Sequence, residues 1–139
     1  MPIVCVDTNL WFYALAHPAI GDLDKHRMAQ NLIRTLNQPV ITPQIINEVS
    51  VNLLRKRQWT EQELRQLIGE LRVRCRLFLP NEDWCEQASV LRERYGFSFW
   101  DSLVVASAQA GGCDILFSED MQHGLRIASL EIINPFIVA

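Results

Sequence analysis

The four cysteines of this chain, Cys5, Cys75, Cys85 and Cys113, include no C-x-x-C pair and no cysteine–histidine zinc spacing, so no structural zinc site is encoded. No segment approaches the roughly 20 consecutive apolar residues that a membrane-spanning helix needs, and Asp7 interrupts the apolar start too early for a signal peptide. Nor does a G-x-G-x-x-G follow the first apolar run, which removes the dinucleotide-binding fingerprint. Repeats, low-complexity stretches and linkers are missing too, so the 139 residues are expected to form one domain, 1–139. Lysine is scarce, with Lys25 and Lys56 against eleven arginines, and the net charge of −3 carries no general basic excess for nucleic acid. Acids gathered at a metal site would depress that charge by themselves. Cys5 and Cys113 lie in apolar runs, where a reduced thiol acts as a small hydrophobe, as in a cytoplasmic protein.

What is present is an alternation of strand-like and helical segments. Ile3–Val6 reads as a short buried strand, Asn9–Leu15 as a helical turn or two, and Leu23–Leu36 as a helix. Val40–Ile41 is a second strand; Thr42 caps a helix that has Pro43 at its first position and runs to Arg57. Thr60 and Glu63 have the form of a capping box for the next helix. Arg76–Leu79 is a third strand, Asp83–Tyr95 and Phe99–Ala110 are helices, Cys113–Phe117 is a fourth strand and Leu130–Ile133 a fifth. The pattern predicts an α/β fold of three layers, α/β/α, around a central and mostly parallel sheet. Sites in such sheets form beyond the carboxyl ends of the strands.

Four acids stand at the edges of apolar segments, where a lone charge needs hydrogen bonds, a cationic partner or a metal. Asp7 ends the first strand; it can cap the following helix, or face a ligand together with Thr8 and Asn9. Glu48 borders the stripe of Ile45, Ile46, Val49 and Leu53, with Asn52 one turn on; it is either a solvated boundary residue or part of a polar patch at the core edge. Asp101 completes Ser98-x-x-Asp101, a capping-box form, yet shares a face with Val104, Val105 and Ala108. Asp120 follows the fourth strand in Ser118-Glu119-Asp120, which also suits a simple turn. Glu119 is a second choice there. The joint occurrence of four such acids near one sheet edge points to a metal-dependent hydrolase.

At these residues the chain resembles the PIN-domain ribonucleases, and within them the VapC-type toxins of toxin–antitoxin pairs. The matching pieces are Ile3-Val4-Cys5-Val6-Asp7-Thr8-Asn9, Thr42-Pro43-Gln44-Ile45-Ile46-Asn47-Glu48, Asp101-Ser102-Leu103-Val104-Val105-Ala106 and Ile115-Leu116-Phe117-Ser118-Glu119-Asp120, in the family's order. Ser118 stands where a threonine is frequent, and Met121-Gln122 departs from the acidic or aromatic residue common there. The resemblance implies a PIN-like fold and a cleft of carboxylates holding Mg²⁺ or Mn²⁺ that cuts single-stranded or looped RNA, with Thr8 and Ser118 as its hydroxyl neighbours. It also implies a homodimer and a small antitoxin protein that inserts near the helical hairpin at about residues 43 to 73.

Hard oxygen ligands suit Mg²⁺, and Asp7 and Asp101 are the expected holders of a principal ion, with Glu48 and Asp120 completing a second site or orienting water. Arg55, Lys56 and Arg57 form the densest basic run and are candidate RNA contacts, followed by Arg72, Arg74 and Arg76; the alternative for the first run is a solvated helix end. Trp11, Trp59, Trp84 and Trp100 could stack bases, although buried packing is the expected role of most of them. A phosphoacceptor receiver domain lacks its acid pair and its late lysine here. A non-catalytic RNA-binding or assembly module of the same fold remains the alternative to the nuclease.

Overall fold

The computed structural model describes residues 1–137; the last two residues of the expected 1–139 domain lie outside it. Strand β1 (Val4–Val6) is buried at every residue, as its unbroken apolar run requires of a strand with neighbours on both sides. Helices α1 (Thr8–Leu15) and α2 (Leu23–Thr35) lead to β2 (Val40–Ile41), and α3 (Pro43–Arg57) and α4 (Glu61–Arg74) to β3 (Arg76–Leu77). Then α5 (Trp84–Tyr95) and α6 (Phe99–Ala110) lead to β4 (Ile115–Phe117), which is followed by β5 (Arg126–Ile127) and β6 (Leu130–Ile133). The six strands lie in the order β3-β2-β1-β4-β6-β5, parallel throughout except for the β5–β6 pair. No helix among the described residues is long and apolar enough to cross a membrane.

This order positions the site. From β1 the chain steps outward to β2 and β3, then returns across β1 to β4 on its other side. Right-handed crossovers that progress in opposite directions cover opposite faces of a sheet, so α1 to α4 and the pair α5–α6 belong to different layers. The reversal falls between β1 and β4, whose register pairs Val4 with Ile115 and Val6 with Phe117. A crevice opens beyond the carboxyl ends at such a switch point. Asp7 and Ser118 are the first residues past those two ends.

Local chemistry sets the helix ends as the sequence indicates. Thr42 Oγ1 accepts the Ile45 amide at 3.3 Å, with Pro43 in the first turn of α3. Both halves of the Thr60–Glu63 capping box form, at 2.9 and 3.1 Å. The buried stripe of α3 is Ile45, Val49 and Leu53, and α6 is buried from Ser102 to Ala108.

Two strand ends differ from expectation by two residues and one strand is additional, each for a backbone reason. Strand β4 starts at Ile115 rather than Cys113, because the Cys113 amide turns back to the Ala108 carbonyl at 3.0 Å, with Gly112 at φ +73. Strand β3 ends at Leu77 rather than Leu79, since its partner β2 stops where Thr42 becomes a helix cap. Strand β5 was not expected; it is two residues long and returns to β6 through Ala128-Ser129, with Ala128 at φ +53. That turn carries neither the asparagine nor the glycine that ordinarily marks a two-residue hairpin.

A positive φ strains an alanine, and glycine relieves it. Ala128→Gly is expected to raise the unfolding free energy by about 0.5–1 kcal/mol, read as a higher urea midpoint at unchanged slope. A lower midpoint would mean that the hairpin does not require the left-handed conformation at that residue.

Candidate functional site

The site is organised by three consecutive residues, bonded to two distant segments, the exit of β4 and helix α3. Asp7 is the N-cap of α1, and its Oδ1 accepts the Thr8 amide at 2.7 Å. Its Oδ2 accepts the Ser118 hydroxyl, past the end of β4, at 2.8 Å. Thr8 Oγ1 donates to Glu48 Oε1 on α3 at 3.0 Å. Asn9 Nδ2 donates to Asp120 Oδ2 at 3.1 Å. The strand end therefore acts as a comb whose teeth, Asp7, Thr8 and Asn9, engage Ser118, Glu48 and Asp120. Asp7 is thus a helix cap and a cleft residue at once, and the two readings of it do not compete.

Asp101 arrives by another route. Ser98 Oγ accepts the Asp101 amide at 3.2 Å and caps α6. Only this half of the capping box is made, in contrast to the complete one at Thr60, and Asp101 lines the cleft. Asp7, Glu48, Asp101 and Asp120, with Thr8 and Asn9, line one cavity of about 540 Å³. Asp22, Asn52, Phe12, Tyr13 and Glu119 line it as well. Asp22 was not foreseen: it precedes α2 without a side-chain capping bond, and the one sequence signal for it is its place after Gly21 in a polar turn.

The acids repel one another, and no cation pairs with any of the four. Asp7 is buried, at 5% exposure. Burial pushes its carboxyl up to about 7 from the ordinary 3.8; the bonds from Ser118 and Thr8 pull downward, and the charges of Asp101 and Glu48 raise it further. Burial also raises Glu48, which the Thr8 bond opposes and the charge of Asp101 reinforces. Asp101 is raised by burial, lowered by Ser98 and raised by Asp120. Among the described residues the ion pairs are Lys25–Glu119 and Arg126–Glu131, so none of the four acids has one. Glu119 is satisfied by Lys25 and by the Tyr13 hydroxyl, which donates to it at 2.7 Å. It is the neutralised acid of the cleft, consistent with its second rank in sequence.

The donor set consists of hard oxygens, which suits Mg²⁺ or Mn²⁺. Among the described residues no three carboxylate, imidazole or thiol groups close into a preformed cage. An open cluster fits an ion that keeps several of its waters better than one that demands complete protein ligation. No histidine is among the residues that line the cleft.

The basic residues divide. Lys56 and Arg57 line the cleft and both lie over the Phe12 ring, 5.5 and 5.1 Å from its centroid. The Arg57 Nε donates to the His17 carbonyl at 2.8 Å, which fixes its direction. Arg55 is exposed on the same turn and does not line the cleft. Arg74 and Arg76 donate to the carbonyls of Ile33 and Gly111, so that second cluster ties chain segments together. Of the tryptophans, Trp11 is buried, whereas Trp100 is 61% exposed.

A family model of the PIN domain matches residues 4–125. Among solved structures the chain is similar to a toxin-antitoxin complex from Klebsiella pneumoniae, with 18% identity and a TM-score of 0.72 over 98% of this chain and 99% of that one. It is similar to Mycobacterium tuberculosis VapC20, named as a sarcin-ricin loop cleaving toxin, with 22% identity and a TM-score of 0.65 over 84% of this chain and 91% of that one. VapBC2 from Rickettsia felis, bound to a DNA fragment from its promoter, is similar at 18% identity and a TM-score of 0.62, over 94% and 96% of the two chains. At these identities the likeness is one of fold. No curated protein matches the chain.

The Asp7 shift has a thermodynamic consequence. Below about 4 its carboxyl is protonated in both the folded and the unfolded chain; as pH rises through 7 the folded chain has to bury a charge, and the stability contribution is lost. In metal-free protein, Asp7→Asn is therefore expected to raise Tm at pH 8, corresponding to roughly 4 kcal/mol at most, and to give no gain at pH 4. A gain of the same size at both pH values would show that the carboxyl is not desolvated.

Proposed function

Because the chain belongs to the PIN-domain family, we propose that it is a Mg²⁺- or Mn²⁺-dependent endoribonuclease that cleaves single-stranded or looped RNA, as the toxin of a toxin–antitoxin pair. The observation that carries this reading is the cleft at the switch point, where Asp7, Glu48, Asp101 and Asp120, with Asp22 beside them, have no ion-pair partner. Asp7 and Asp101 would hold the principal ion, and Glu48 and Asp120 would complete a second site or orient water. Such an ion, when bound, neutralises charge on a phosphodiester and makes water more acidic.

The remaining work falls to the chain's own side chains. Ser118 and the Thr8 amide lock the Asp7 carboxylate from two sides. Thr8 orients Glu48, and Asn9 orients Asp120. These neutral donors fix direction without cancelling charge, which leaves the carboxylates available as ligands. Lys56 and Arg57 would offset the repulsion between the acids and a polyanion, through salt-sensitive contacts. Arg57 is held by the His17 carbonyl and the Phe12 face, so its charge is presented at low entropic cost.

The partners follow from the family and the neighbours. Toxin-antitoxin assemblies are among the similar structures, and this supports a small antitoxin protein as partner, with a homodimer as the working unit in the cytoplasm. The alternative reading is a non-catalytic RNA-binding or assembly module of the same fold. Calorimetric titration with Mn²⁺ separates the two, since the nuclease binds the ion and the module does not.

Purified protein incubated with a panel of structured RNAs is expected to cut at defined positions, and chelator should abolish the cuts. Asp101→Asn should fall to the chelated background. Thr8→Val, which removes the donor to Glu48, should lower kcat/KM roughly 10–100-fold. Cleavage by Asp101→Asn at the rate of the unmodified protein would sink the assignment.

A further inference from the structure

Beside the acid cleft lies a second hollow of about 480 Å³, lined by Pro43, Gln44, Asn47, Glu48, Trp84 and Trp100. That volume falls in the roughly 300–1,000 Å³ range of small-molecule sites. Glu48 belongs to both hollows, and Trp100 immediately precedes Asp101. We infer that this hollow is a nucleobase subsite in which the Trp100 indole stacks on a base next to the bond being cut. The inference rests on the nuclease reading and adds to it the group that the protein grips.

Four features favour a base. First, the indole is exposed where an indole is costly to expose. Trp100 stands 61% open to solvent and its neighbour Phe99 55%, although most large aromatics in this chain contribute to packing. Second, the ring is held in place. Phe99 meets it edge-on with centroids 5.2 Å apart, and the Arg92 guanidinium lies 4.6 Å from the Phe99 centroid. A stacking platform loses little freedom on binding when its support is already built.

Third, the opposite walls are rigid and polar at the edge. The Trp84 indole N–H is committed to the Leu103 carbonyl at 2.9 Å, so that ring serves as a wall and not as a donor to a ligand. Asn47 is exposed and offers an amide, which can both donate to and accept from a base edge. Fourth, Gln44 couples the hollow to the acids. Its Nε2 donates to the Trp100 carbonyl at 3.3 Å and toward Glu48 Oε1 at 3.5 Å. No basic residue lines this hollow, so a phosphate fits it poorly and a neutral ring fits it well. The hollow is a grip for one base, adjoining acids that handle the backbone.

The test uses 5′-GMP, 5′-AMP, 5′-CMP and 5′-UMP in buffer with Mg²⁺, because these contain no phosphodiester bond to cleave, and ribose 5-phosphate as the base-free control. At least one nucleotide should quench tryptophan fluorescence saturably, and ribose 5-phosphate should not. Trp100→Ala should lose the quench and weaken nucleotide binding about tenfold, within the range of one base–aromatic stack, while Trp100→Phe should retain binding when followed by calorimetry. With an RNA that the protein cleaves, Trp100→Ala should raise KM about tenfold with kcat within a factor of two to three. Equal quenching by ribose 5-phosphate, or an unchanged KM in Trp100→Ala, overturns the subsite while leaving the nuclease intact. Nucleotide binding without chelator-sensitive cleavage of any RNA would instead remove the nuclease reading and keep the pocket. Sedimentation is measured alongside: a shift from dimer to monomer in Trp100→Ala would assign this surface to a second copy of the chain and overturn the proposal.

Discussion

Negative charge held in place by neutral donors is the condition on which the arrangement at the ends of β1 and β4 depends. A buried carboxylate can be made tolerable by an arginine, by protonation or by an ion, and each choice has a structural signature. An arginine would leave a bidentate pair, and none of the four acids has one. Several arginines instead bind main-chain carbonyls, as Arg57, Arg74 and Arg76 do, or the Ser102 hydroxyl, as Arg92 does. Thr8, Asn9 and Ser118 orient the acids but bring no charge. Glu119 is the internal contrast, because it shares the cleft and is nonetheless neutralised by Lys25. One cleft thus holds an acid paired in the ordinary structural way beside five that are not, Asp22 among them.

The fold makes this possible because the strands that deliver Asp7 and Ser118 are adjacent and in register. The Asp7 amide continues the ladder by donating to the Phe117 carbonyl at 2.9 Å, so Asp7 and Ser118 leave the sheet side by side. Helix α1 then starts at once, which turns Thr8 and Asn9 toward α3 and the β4 exit. A longer loop after β1 would uncouple the three.

Much of this was legible in sequence, and the failures have physical causes. Caps at Thr42 and Thr60 could be read because they depend on residues three positions apart. Asp7, Glu48, Asp101 and Asp120 could be found because each breaks an apolar pattern locally. An apolar Cys113 fits either a strand or a helix exit, so the start of β4 is decided by a backbone bond to Ala108 that sequence does not show. The β5–β6 hairpin was missed because its turn uses alanine in the left-handed region. Asp22 went unnoticed since it breaks no apolar pattern, and only the tertiary path of the chain brings it to the cleft. The basic run could be located but not divided: sequence does not tell that Arg55 points away from the cleft that Lys56 and Arg57 line.

Helix α3 ties these parts into a single track. Pro43, Gln44 and Asn47, at its amino end, line the aromatic hollow; Glu48 and Asn52 face the acid cleft, and Lys56 and Arg57 bound that cleft at the carboxyl end. At 1.5 Å per residue the distance from Gln44 to Lys56 along the axis is about 18 Å, enough to lie beside several nucleotides of an extended strand. The helix dipole favours one end of this division, since its negative end carries the three basic residues. A polyanion crossing the acids is repelled at its centre and must be held at its flanks. On the proposed reading one flank is held by cations acting on phosphate and the other by a ring acting on a base. Two different kinds of grip at the ends of one helix would give the strand a direction as well as a position.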